Sequence, residues 1–350
     1  MLPSMFSGIS GLKVNQRKLD VIGNNIANSS TTAYKGQRAR FEDMVSQNMA
    51  AATGASSKLG GTNPRQVGLG VQLAGIDTST SQGSMQPTSN PLDAAIDGEG
   101  YFIVGTGAVP DGDTSGAAAA APGTITVTDD ANHAMSGTGV TASFTRDGSF
   151  TLDTQGSLLT SDGLRVYGYA NNNVTINYAD GKANPKVPFT GTYTPDSTTG
   201  QTVTEIKGDV LVPLVIPESL TDDSGASHRI KSYSIGSDGT ITATLDTGTA
   251  VLGQIAMASF KNPAGLSKLG KNLYQTSPNS GDPVVRSFLG STNDNSAGYG
   301  DVRQGMLEMS NVDLAEEFTN MIIANRAFQA NGKIITTGDE ILQDLVNLKR

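Results

Sequence analysis

The stretch SNVDLAEEFTNMIIANRAFQANGKIITTGDEILQDLVNL, residues 310–348, carries the strongest structural signal in this chain. Its apolar residues recur every seven positions, at Leu314, Met321, Phe328, Ile335 and Leu342. A seven-residue apolar repeat is typical of a helix that packs along one seam, as in a coiled coil. Asp313, with Glu316 three residues further on, has the spacing of a helix start. We therefore predict a helix of about 36 residues, roughly 55 Å long.

The apolar surface of this helix becomes wider than one seam toward its end, where Ile334, Ile341 and Leu345 lie beside the repeat. One partner helix would need one stripe, so we expect several neighbours around the helix. Phe318 and Leu345 extend the predicted contact surface. Asn325, four residues after Met321, is predicted to fix the register between helices, as buried asparagines do in coiled coils. For the other asparagines of the two ends a register role and a surface role remain open: Asn24, Asn25, Asn28, Asn311, Asn320 and Asn331.

The front of the chain predicts a second amphipathic helix, from about Pro3 to Asn28. Its apolar residues alternate in steps of three and four, at Leu2, Met5, Ile9, Leu12, Leu19 and Ile26. Gln16 and Gly23 interrupt the same seam, and a glycine inside a helix costs up to about 1 kcal/mol against alanine. Such a helix is marginal on its own, so we expect the two terminal helices to order when they join neighbours and to form the subunit-assembly surface.

Between the helices the sequence predicts β-structure. Only 16% of residues are charged, against an ordinary share of about 25%, and 42 are glycine, as in a turn-rich β-protein. Asp-Gly pairs at 147–148, 162–163 and 238–239 stand between alternating segments and predict hairpins. The predicted fold class is mainly β with terminal α-helices, with nested β-domains in mid-chain and a coiled-coil-like domain formed by the N- and C-terminal helices.

The predicted domain boundaries follow from the changes in pattern along the chain. We expect a terminal helical domain at 1–30 and 310–350, an extended connector at 31–75, an inner β-domain at 76–169 and 232–309 with an insertion at 105–142, and an outer β-domain at 170–231. A short helix is expected inside the connector, near Phe41 to Met49. The insertion is low in complexity, and its TITVT segment predicts one extra hairpin arm. Because the two terminal helices are expected to meet, the outer β-domain is expected to be inserted in the middle of the inner β-domain.

No motif in the chain predicts catalysis, a cofactor or a metal site. There is no cysteine, and the two histidines, His133 and His228, lack the spacing of metal ligands. The net charge is −9, with a basic stretch in residues 1–40 and a strongly acidic one from Asp77 to Asp162, which argues against nucleic acid as partner of the body. The start MLPSMFSGISGLK does not read as a cleavable Sec-type signal, and no run is long and apolar enough to predict membrane insertion.

Four segments resemble the signature segments of the bacterial flagellar rod and hook axial proteins. They are NNIANSSTTAYKG at 24–36, NPLDAAIDGEGYFIV at 90–104, TRDGSFTLDTQGSLLTSDGLRVYGY at 145–169 and the stretch at 310–348. Two segments are most similar to the hook proteins of that family: SNVDLAEEFTNMI, and LGQIAMASFKNPAGLSKLGKNLYQTSPNSG at 252–281. Ala33 stands where the family usually has glycine, which implies a less left-handed turn there.

The resemblance implies a structural protein, not an enzyme, without cofactor. It implies a flexible, curved homopolymer that transmits torque from rod to filament, located outside the cell in the flagellum. It also implies rod protein, hook cap and hook–filament junction proteins as partners, with export through the flagellar type III apparatus. Two alternatives remain at this point: a distal rod protein of the same family, and a surface-displayed β-adhesin on a helical stalk.

Overall fold

The structure, a computed structural model, describes residues 2–54, 60–107, 110, 123–128, 133–171, 174–177, 190–193, 206–222, 224–289, 291 and 294–348. By its internal packing the chain divides into two units. The helical unit comprises residues 1–81 and 310–350, and the β-unit comprises residues 82–309. The predicted fold class, mainly β with a helix at each end, is confirmed.

The two helices are α1 (Leu2–Ala27) and α2 (Leu314–Asn347). The predicted start of α2 is confirmed, because the Asp313 side chain accepts hydrogen bonds from the backbone N–H groups of Ala315 (2.8 Å) and Glu316 (3.3 Å). These are donors that the first turn of a helix leaves without an internal partner. Glu316 and Glu317 occupy the first turn, where the helix dipole favours negative charge.

The helical unit also contains two antiparallel strand pairs between residues 37 and 78, one nested inside the other in sequence. Strand β1 (Gln37–Asp43) pairs antiparallel with β4 (Val71–Thr78), and β2 (Ser46–Ala50) pairs with β3 (Arg65–Gly68). The short helix expected near Phe41 to Met49 is therefore wrong. Cross-strand contacts that the local sequence does not reveal favour the strand, among them Arg40 Nε to Asp77 Oδ2 at 2.6 Å.

The turn that leads into β1 retains a left-handed residue. Ala33 has φ 55° and is buried. The expectation of a less left-handed turn is therefore wrong, although this conformation is unfavourable for alanine. The next two residues, Tyr34 and Lys35, are also buried, so packing after the turn outweighs the local preference of Ala33.

The β-unit is built of short strands. In chain order they are β5 (Met85–Pro87), β6 (Ala94–Asp97), β7 (Tyr101–Gly107), β8 (Thr124–Val127), β9 (Met135–Thr138), β10 (Val140–Thr145), β11 (Phe150–Leu152), β12 (Leu158–Thr160), β13 (Arg165–Asn171), β14 (Val174–Asn177), β15 (Thr190–Tyr193), β16 (Ile206–Pro213), β17 (Ser219–Thr221), β18 (Ser227–Arg229), β19 (Ser232–Ile235), β20 (Thr240–Thr244), β21 (Thr249–Ile255), β22 (Met257–Ser259), β23 (Ser267–Gly270), β24 (Leu273–Gln275), β25 (Val284–Val285), β26 (Asp301–Gln304) and β27 (Met306–Glu308).

In the described part of the β-unit most strands form one large sheet, with the order β19-β20-β21-β13-β7-β10-β24-β23 along its main path. A smaller sheet has the order β14-β15-β17-β18, in which β15 and β17 run parallel. Val174, Ile176 and Leu220 of the smaller sheet belong to the same buried cluster as Leu245 and Leu252 of the larger part. Strand β16 falls within the predicted outer domain but pairs with β13 and β8 of the large sheet. The division into inner and outer β-domains stays a prediction.

Two of the three predicted Asp-Gly hairpins are confirmed: β12 pairs with β13 around 162–163, and β19 pairs with β20 around 238–239. The hairpin predicted at 147–148 is wrong, because β10 pairs with β7 and β24 while β11 pairs with β12. Gly148 instead lies against β6, where its carbonyl accepts the N–H of Ala94 at 3.0 Å. The extra hairpin arm in the insertion is confirmed by the β8–β9 pair, while residues 108–109, 111–122 and 129–132 of the insertion lie outside the described residues.

The chain enters and leaves the β-unit side by side. The entry strand β5 pairs with the exit strand β27, and β6 pairs with β26. A buried ion pair reinforces this junction: Arg146 Nε lies 2.9 Å from Glu308 Oε2, and both side chains are almost fully buried. The guanidinium also donates to the carbonyls of Gly98 and Gly100, and the other Glu308 oxygen accepts the N–H of Gly83 at 2.9 Å. One buried network therefore joins the first and last residues of the unit.

We expect Arg146→Met to lower the free energy of unfolding of the β-unit by roughly 3–5 kcal/mol, because it leaves the Glu308 carboxylate buried without its charge partner. Chemical denaturation of the full chain, followed by circular dichroism, measures this loss. The matched control is Arg303→Met, since Arg303 pairs with Asp97 at 3.2 Å on the surface and such exposed pairs contribute about 0–1 kcal/mol. Equal losses in the two variants would contradict the assignment.

Two neighbouring tyrosines of β13 differ in how their hydroxyl groups are satisfied. The Tyr169 hydroxyl donates to the Arg286 carbonyl at 2.8 Å. The Tyr167 hydroxyl is buried and has no hydrogen-bond partner among the residues that the structure describes. Burial raises the pKa of Tyr167 to about 12, with a smaller opposing effect of Arg165. An unpaired buried hydroxyl is a cost to the fold, so the two positions should respond oppositely to loss of the hydroxyl.

We expect Tyr167→Phe to raise the unfolding free energy at pH 7 by about 1 kcal/mol and Tyr169→Phe to lower it by a similar amount. Because the folded pKa of Tyr167 is raised, its contribution is present below the unfolded pKa near 10 and is lost as pH rises toward 12. Tyr167→Phe should therefore also reduce the loss of stability between pH 10 and 12. Urea denaturation across that range tests both effects, and a destabilised Tyr167→Phe at pH 7 would contradict them.

Candidate assembly surface

The two terminal helices pack against each other in antiparallel orientation. Asn25 of α1 donates to Glu317 Oε1 of α2 at 2.7 Å. A Cβ at Gly8 would lie 3.5 Å from Ile335 Cγ1, a Cβ at Gly11 would lie 2.8 Å from Asn331 Nδ2, and a Cβ at Gly338 would lie 3.2 Å from Met5 Cγ. In each of these four contacts the two residue numbers add to 342 or 343. One continuous register therefore holds along the whole pair.

The side of α1 that is buried within the chain differs from the predicted seam. It consists of Gly8, Gly11, Val14, Val21, Ile22 and Asn25, at helical spacings of three and seven with Val21 and Ile22 adjacent. At about 100° per residue, the predicted seam lies roughly a third of a turn away. Of the predicted seam residues Met5, Leu12, Leu19 and Ile26 are half-buried and Ile9 is exposed, while the Leu2 side chain lies outside the described residues. The seam thus remains partly uncovered in one chain.

On α2 the predicted residues are even less covered. Leu314, Phe318, Asn325, Phe328 and Leu345 are exposed, and Met321, Ile335 and Leu342 are half-buried. Ala324 is the one buried residue among those described on this helix. The structure brings Met5 and Ile335 into the α1–α2 contact, but it leaves most of the predicted set exposed. Their role in assembly stays a prediction.

Exposed apolar side chains are concentrated in the helical unit. Among the described residues, 23 large apolar side chains are exposed, and 20 of them belong to this unit. Leu152, Leu269 and Leu289 are the three in the β-unit. Single exposed apolar residues are ordinary, but a surface of this extent in one unit marks an interaction site.

A polar junction at the base of the helices was not singled out from the sequence. Asn25 donates to the Gln37 carbonyl at 2.7 Å and accepts the Gln37 N–H at 2.9 Å, so its side chain pairs with the start of β1 as a strand would. The Tyr34 hydroxyl donates to the same Asn25 oxygen at 3.2 Å. Burial, and secondarily the charge of Glu317, raise the pKa of Tyr34. Asn25 therefore joins α1, β1 and α2.

Asn311 has the matching role just before α2. Its oxygen accepts the Gly36 N–H at 2.8 Å, and its amide donates to the carbonyls of Ser79 and Ser81 at 3.1 and 3.0 Å. The buried Lys35 also donates to the Ser81 carbonyl, at 2.8 Å. Asn325, by contrast, is exposed and accepts from Gln329 within α2. The sequence offered a signal for Asn25 and Asn311, since both lie in the quoted signature segments, but it did not distinguish them from surface asparagines.

The structure places the two histidines in unrelated surroundings. His228 Nε2 lies 3.5 Å from Asp222 Oδ2, and His133 is buried with φ 41°. Within the described ranges, no group of three or more His, Asp or Glu side chains is arranged to hold a metal ion. Neither helix, as far as its residues are described, combines the length and apolar character that crossing a membrane requires.

The chain matches three family descriptions, all of flagellar axial proteins. Residues 5–35 match the flagella basal body rod protein family, residues 134–243 match the flagellar hook protein FlgE/F/G D1 domain, and residues 303–348 match the flagellar basal body rod FlgEFG protein C-terminal region. The matched regions include both helices and the centre of the β-unit. The chain therefore belongs to the family of flagellar rod and hook proteins.

Relatives named for both parts of the flagellar axis match over the full length. The chain is 40% identical over 351 residues to the flagellar basal-body rod protein FlgG of Bacillus subtilis (strain 168), covering 100% of both chains. It is 31% identical over 449 residues to the flagellar hook protein FlgE of Borreliella burgdorferi, again covering 100% of both chains. A crystal structure of Helicobacter pylori flagellar hook protein FlgE2 aligns with a TM-score of 0.37 at 11% identity, covering 64% of this chain and all of that one. The chain is thus a flagellum-associated hook or rod subunit, and its relatives are named as structural proteins.

We expect Asn25→Ala to destabilise the helical unit by about 1–3 kcal/mol, because it removes hydrogen bonds to β1 and α2 and leaves buried polar groups unpaired. Asn325→Ala is the matched control, since its side chain is exposed and bonded only within α2, and a change within about 0.5 kcal/mol is expected. Thermal unfolding of the monomer followed at 222 nm compares the two. A loss in Asn325→Ala as large as that in Asn25→Ala would contradict the polar junction.

Proposed function

We propose that this chain is a structural subunit of the bacterial flagellar hook, in which copies assemble into a curved tube that bends while it transmits torque from rod to filament. The observation that carries the proposal is that, among the described residues, 20 of 23 exposed large apolar side chains lie in the helical unit. Covering such a surface is favourable by about 25 cal/mol per Å². The functional form is therefore the polymer, and the helical unit supplies the contacts between its subunits.

The assembly residues are those of the predicted set that remain uncovered in one chain. Ile9 and Phe318 are 37% and 50% exposed, and Phe328 and Leu345 are 39% and 57% exposed. They lie at both ends of the antiparallel helix pair, so neighbours can bind along its whole length. Because one chain covers only part of the seam, several neighbouring copies are needed to close it.

The surface of the β-unit is suited to sliding past the β-units of neighbouring copies. Its described exposed apolar residues are few, and its sequence is poor in charge. Contacts between such surfaces can shift without breaking buried ion pairs, whose disruption is costly. Firm contacts between helical units and yielding contacts between β-units would together allow bending without rupture.

The smaller sheet β14-β15-β17-β18 lies in the segment 170–231. It does not separate the hook from the distal rod, because the rod protein FlgG of Bacillus subtilis aligns with this chain over the full length of both. In the hook the partners are further copies of the chain, the rod protein, the hook cap and the hook–filament junction proteins. Export proceeds through the flagellar type III apparatus, and the final location is extracellular.

A distal rod protein is the second candidate, favoured by the 40% identity to the protein named FlgG. Electron microscopy of cells that lack the chain separates the two. Loss of the hook with a complete rod supports the hook subunit, whereas a rod that ends early supports the distal rod protein. An intact flagellum would exclude both candidates. Membership of the family argues against the surface adhesin.

We expect Phe318→Ser combined with Leu345→Ser to prevent polymerisation while changing monomer stability little, because both side chains are exposed in the single chain. The matched control is Leu152→Ser with Leu269→Ser, which makes the same changes on the exposed surface of the β-unit. Electron microscopy and sedimentation of the full-chain variants measure the amount of polymer that each one forms. Normal polymers from the first variant would contradict the proposed role of the helical unit.

Deleting residues 311–350 is expected to leave a soluble, folded β-unit that does not polymerise. The reason is that both buried clusters lie within residues 82–309, while the deleted segment holds ten of the exposed apolar side chains. Circular dichroism tests the folding and electron microscopy tests assembly. Tubes formed by the truncated chain would overturn the proposal.

A further inference from the structure

A row of two positively charged residues lies on the outer face of α1. Lys13 and Arg17 are exposed and four residues apart, so they lie on one face of the helix, with the exposed Ile9 four residues before them. Lys13 has no ion pair in the described structure. Arg17 has a distant one, 3.9 Å from Asp20 between side chains that are 71% and 58% exposed. The row therefore presents two available positive charges next to an apolar residue.

A complementary row lies on the outer face of α2. Glu340 and Asp344 are exposed and four residues apart, and Leu348 follows at the next step of four with 87% exposure. The order along this helix is negative, negative, apolar. Along α1 it is apolar, positive, positive. If the two helices run antiparallel, each positive residue of the α1 row lies opposite a negative residue of the α2 row, and the two apolar residues lie opposite each other.

The register within one chain keeps these rows apart. Paired positions add to 342 or 343, so Lys13 lies level with about residue 329 and Arg17 with about residue 325, both uncharged. The two rows can pair only if the residue numbers that lie opposite each other add to 357. Ile9 is then opposite Leu348, Lys13 opposite Asp344 and Arg17 opposite Glu340. The difference of 15 positions, at 1.5 Å per residue, is an axial offset of about 22 Å. The rows also lie roughly opposite the buried faces of their helices, at about 100° per residue.

We propose that the α1 row Ile9–Lys13–Arg17 of one copy pairs with the α2 row Glu340–Asp344–Leu348 of a second copy, displaced along the helix axis by about 22 Å. This inference rests on the proposed polymer and names one of its contacts. The contact joins two different surfaces, so it does not close on itself and repeats from copy to copy, as an open polymer requires. Exposed ion pairs contribute at most about 1 kcal/mol each, so the charges select partner and register while apolar burial supplies most of the affinity.

Cysteine cross-linking in the full chain tests the offset directly, since the natural sequence contains no cysteine. Lys13→Cys combined with Asp344→Cys should give a ladder of disulfide-linked oligomers in the oxidised polymer and none in the monomer, because about 22 Å separates these positions within one chain. The control is Gly8→Cys with Ile335→Cys, which meet within the chain and should give a cross-linked monomer without a ladder. A polymer seen by electron microscopy without a ladder from the first variant would overturn the inference and leave the proposed function standing.

Charge reversal tests the complementarity. Lys13→Glu with Arg17→Glu should reduce polymer yield at least tenfold, and so should Glu340→Lys with Asp344→Lys, because each places like charges opposite each other. Combining all four substitutions should restore assembly, and an equimolar mixture of the two double variants should form a copolymer. The control is Arg229→Glu with Lys231→Glu, an equal charge change at exposed residues of the β-unit, which should assemble normally. Normal assembly of either helix variant, or failure of the fourfold variant to recover, would overturn the inference, whereas failure of the unaltered chain to polymerise would overturn the proposed function itself.

Discussion

The antiparallel packing of two helices from opposite ends of the chain is the constraint on which the rest of the structure depends. It has one register, defined by contacts from Met5 near the start of α1 to Asn25 near its end. Since the helices are about 290 residues apart in sequence at Asn25 and Glu317, everything between them must start and finish at the same place. The paired entry and exit strands of the β-unit meet this requirement, and so does the polar junction that Asn25 and Asn311 form within the helical unit.

The same packing decides which surfaces remain available. Glycines at positions 8 and 11 let α2 approach one side of α1 closely, and Val14, Val21 and Ile22 complete the buried side. Phe6 and Ile9 lie outside this side and are exposed, so the unit keeps an apolar surface that its described residues do not cover. An amphipathic helix normally buries its apolar side within its own fold. Here that side is largely uncovered in the single chain, and we propose that other copies cover it.

Features that depend on neighbouring residues were predicted well from the sequence, whereas features that depend on contacts between distant segments were not. The start of α2 at Asp313 and the turns at 162–163 and 238–239 depend on neighbouring residues, and all three were predicted. The turn at 147–148 has the same sequence signal, but contact with β6 separates its flanking strands. The 41–49 segment contributes to two strands because their cross-strand partners lie within residues 65–73. The periodicity of α1 revealed a helix with an apolar side, yet it could not reveal that glycines would determine which side packs within the chain.

The polar residues of the site illustrate the same limit. Asn25, Asn311 and Asn325 have similar local settings, and only the folded chain shows that the first two bond across segments while the third bonds within its helix. Hydrogen bonds of this kind depend on long-range geometry, which a single sequence does not display.

The ion pair of Arg146 and Glu308 has a mechanical meaning. Strands β5 and β27 are antiparallel neighbours whose outer ends, Met85 and Glu308, are the points where the chain crosses the boundary of the β-unit. A pull on both crossings would peel such a pair one hydrogen bond at a time, which is the weakest way to load two strands. The buried guanidinium lies at that open end and binds the last residue of β27, whose carboxylate also holds Gly83. Any peeling would have to begin by exposing a buried charge, so the ion pair opposes fraying at the end where the chain enters and leaves the β-unit.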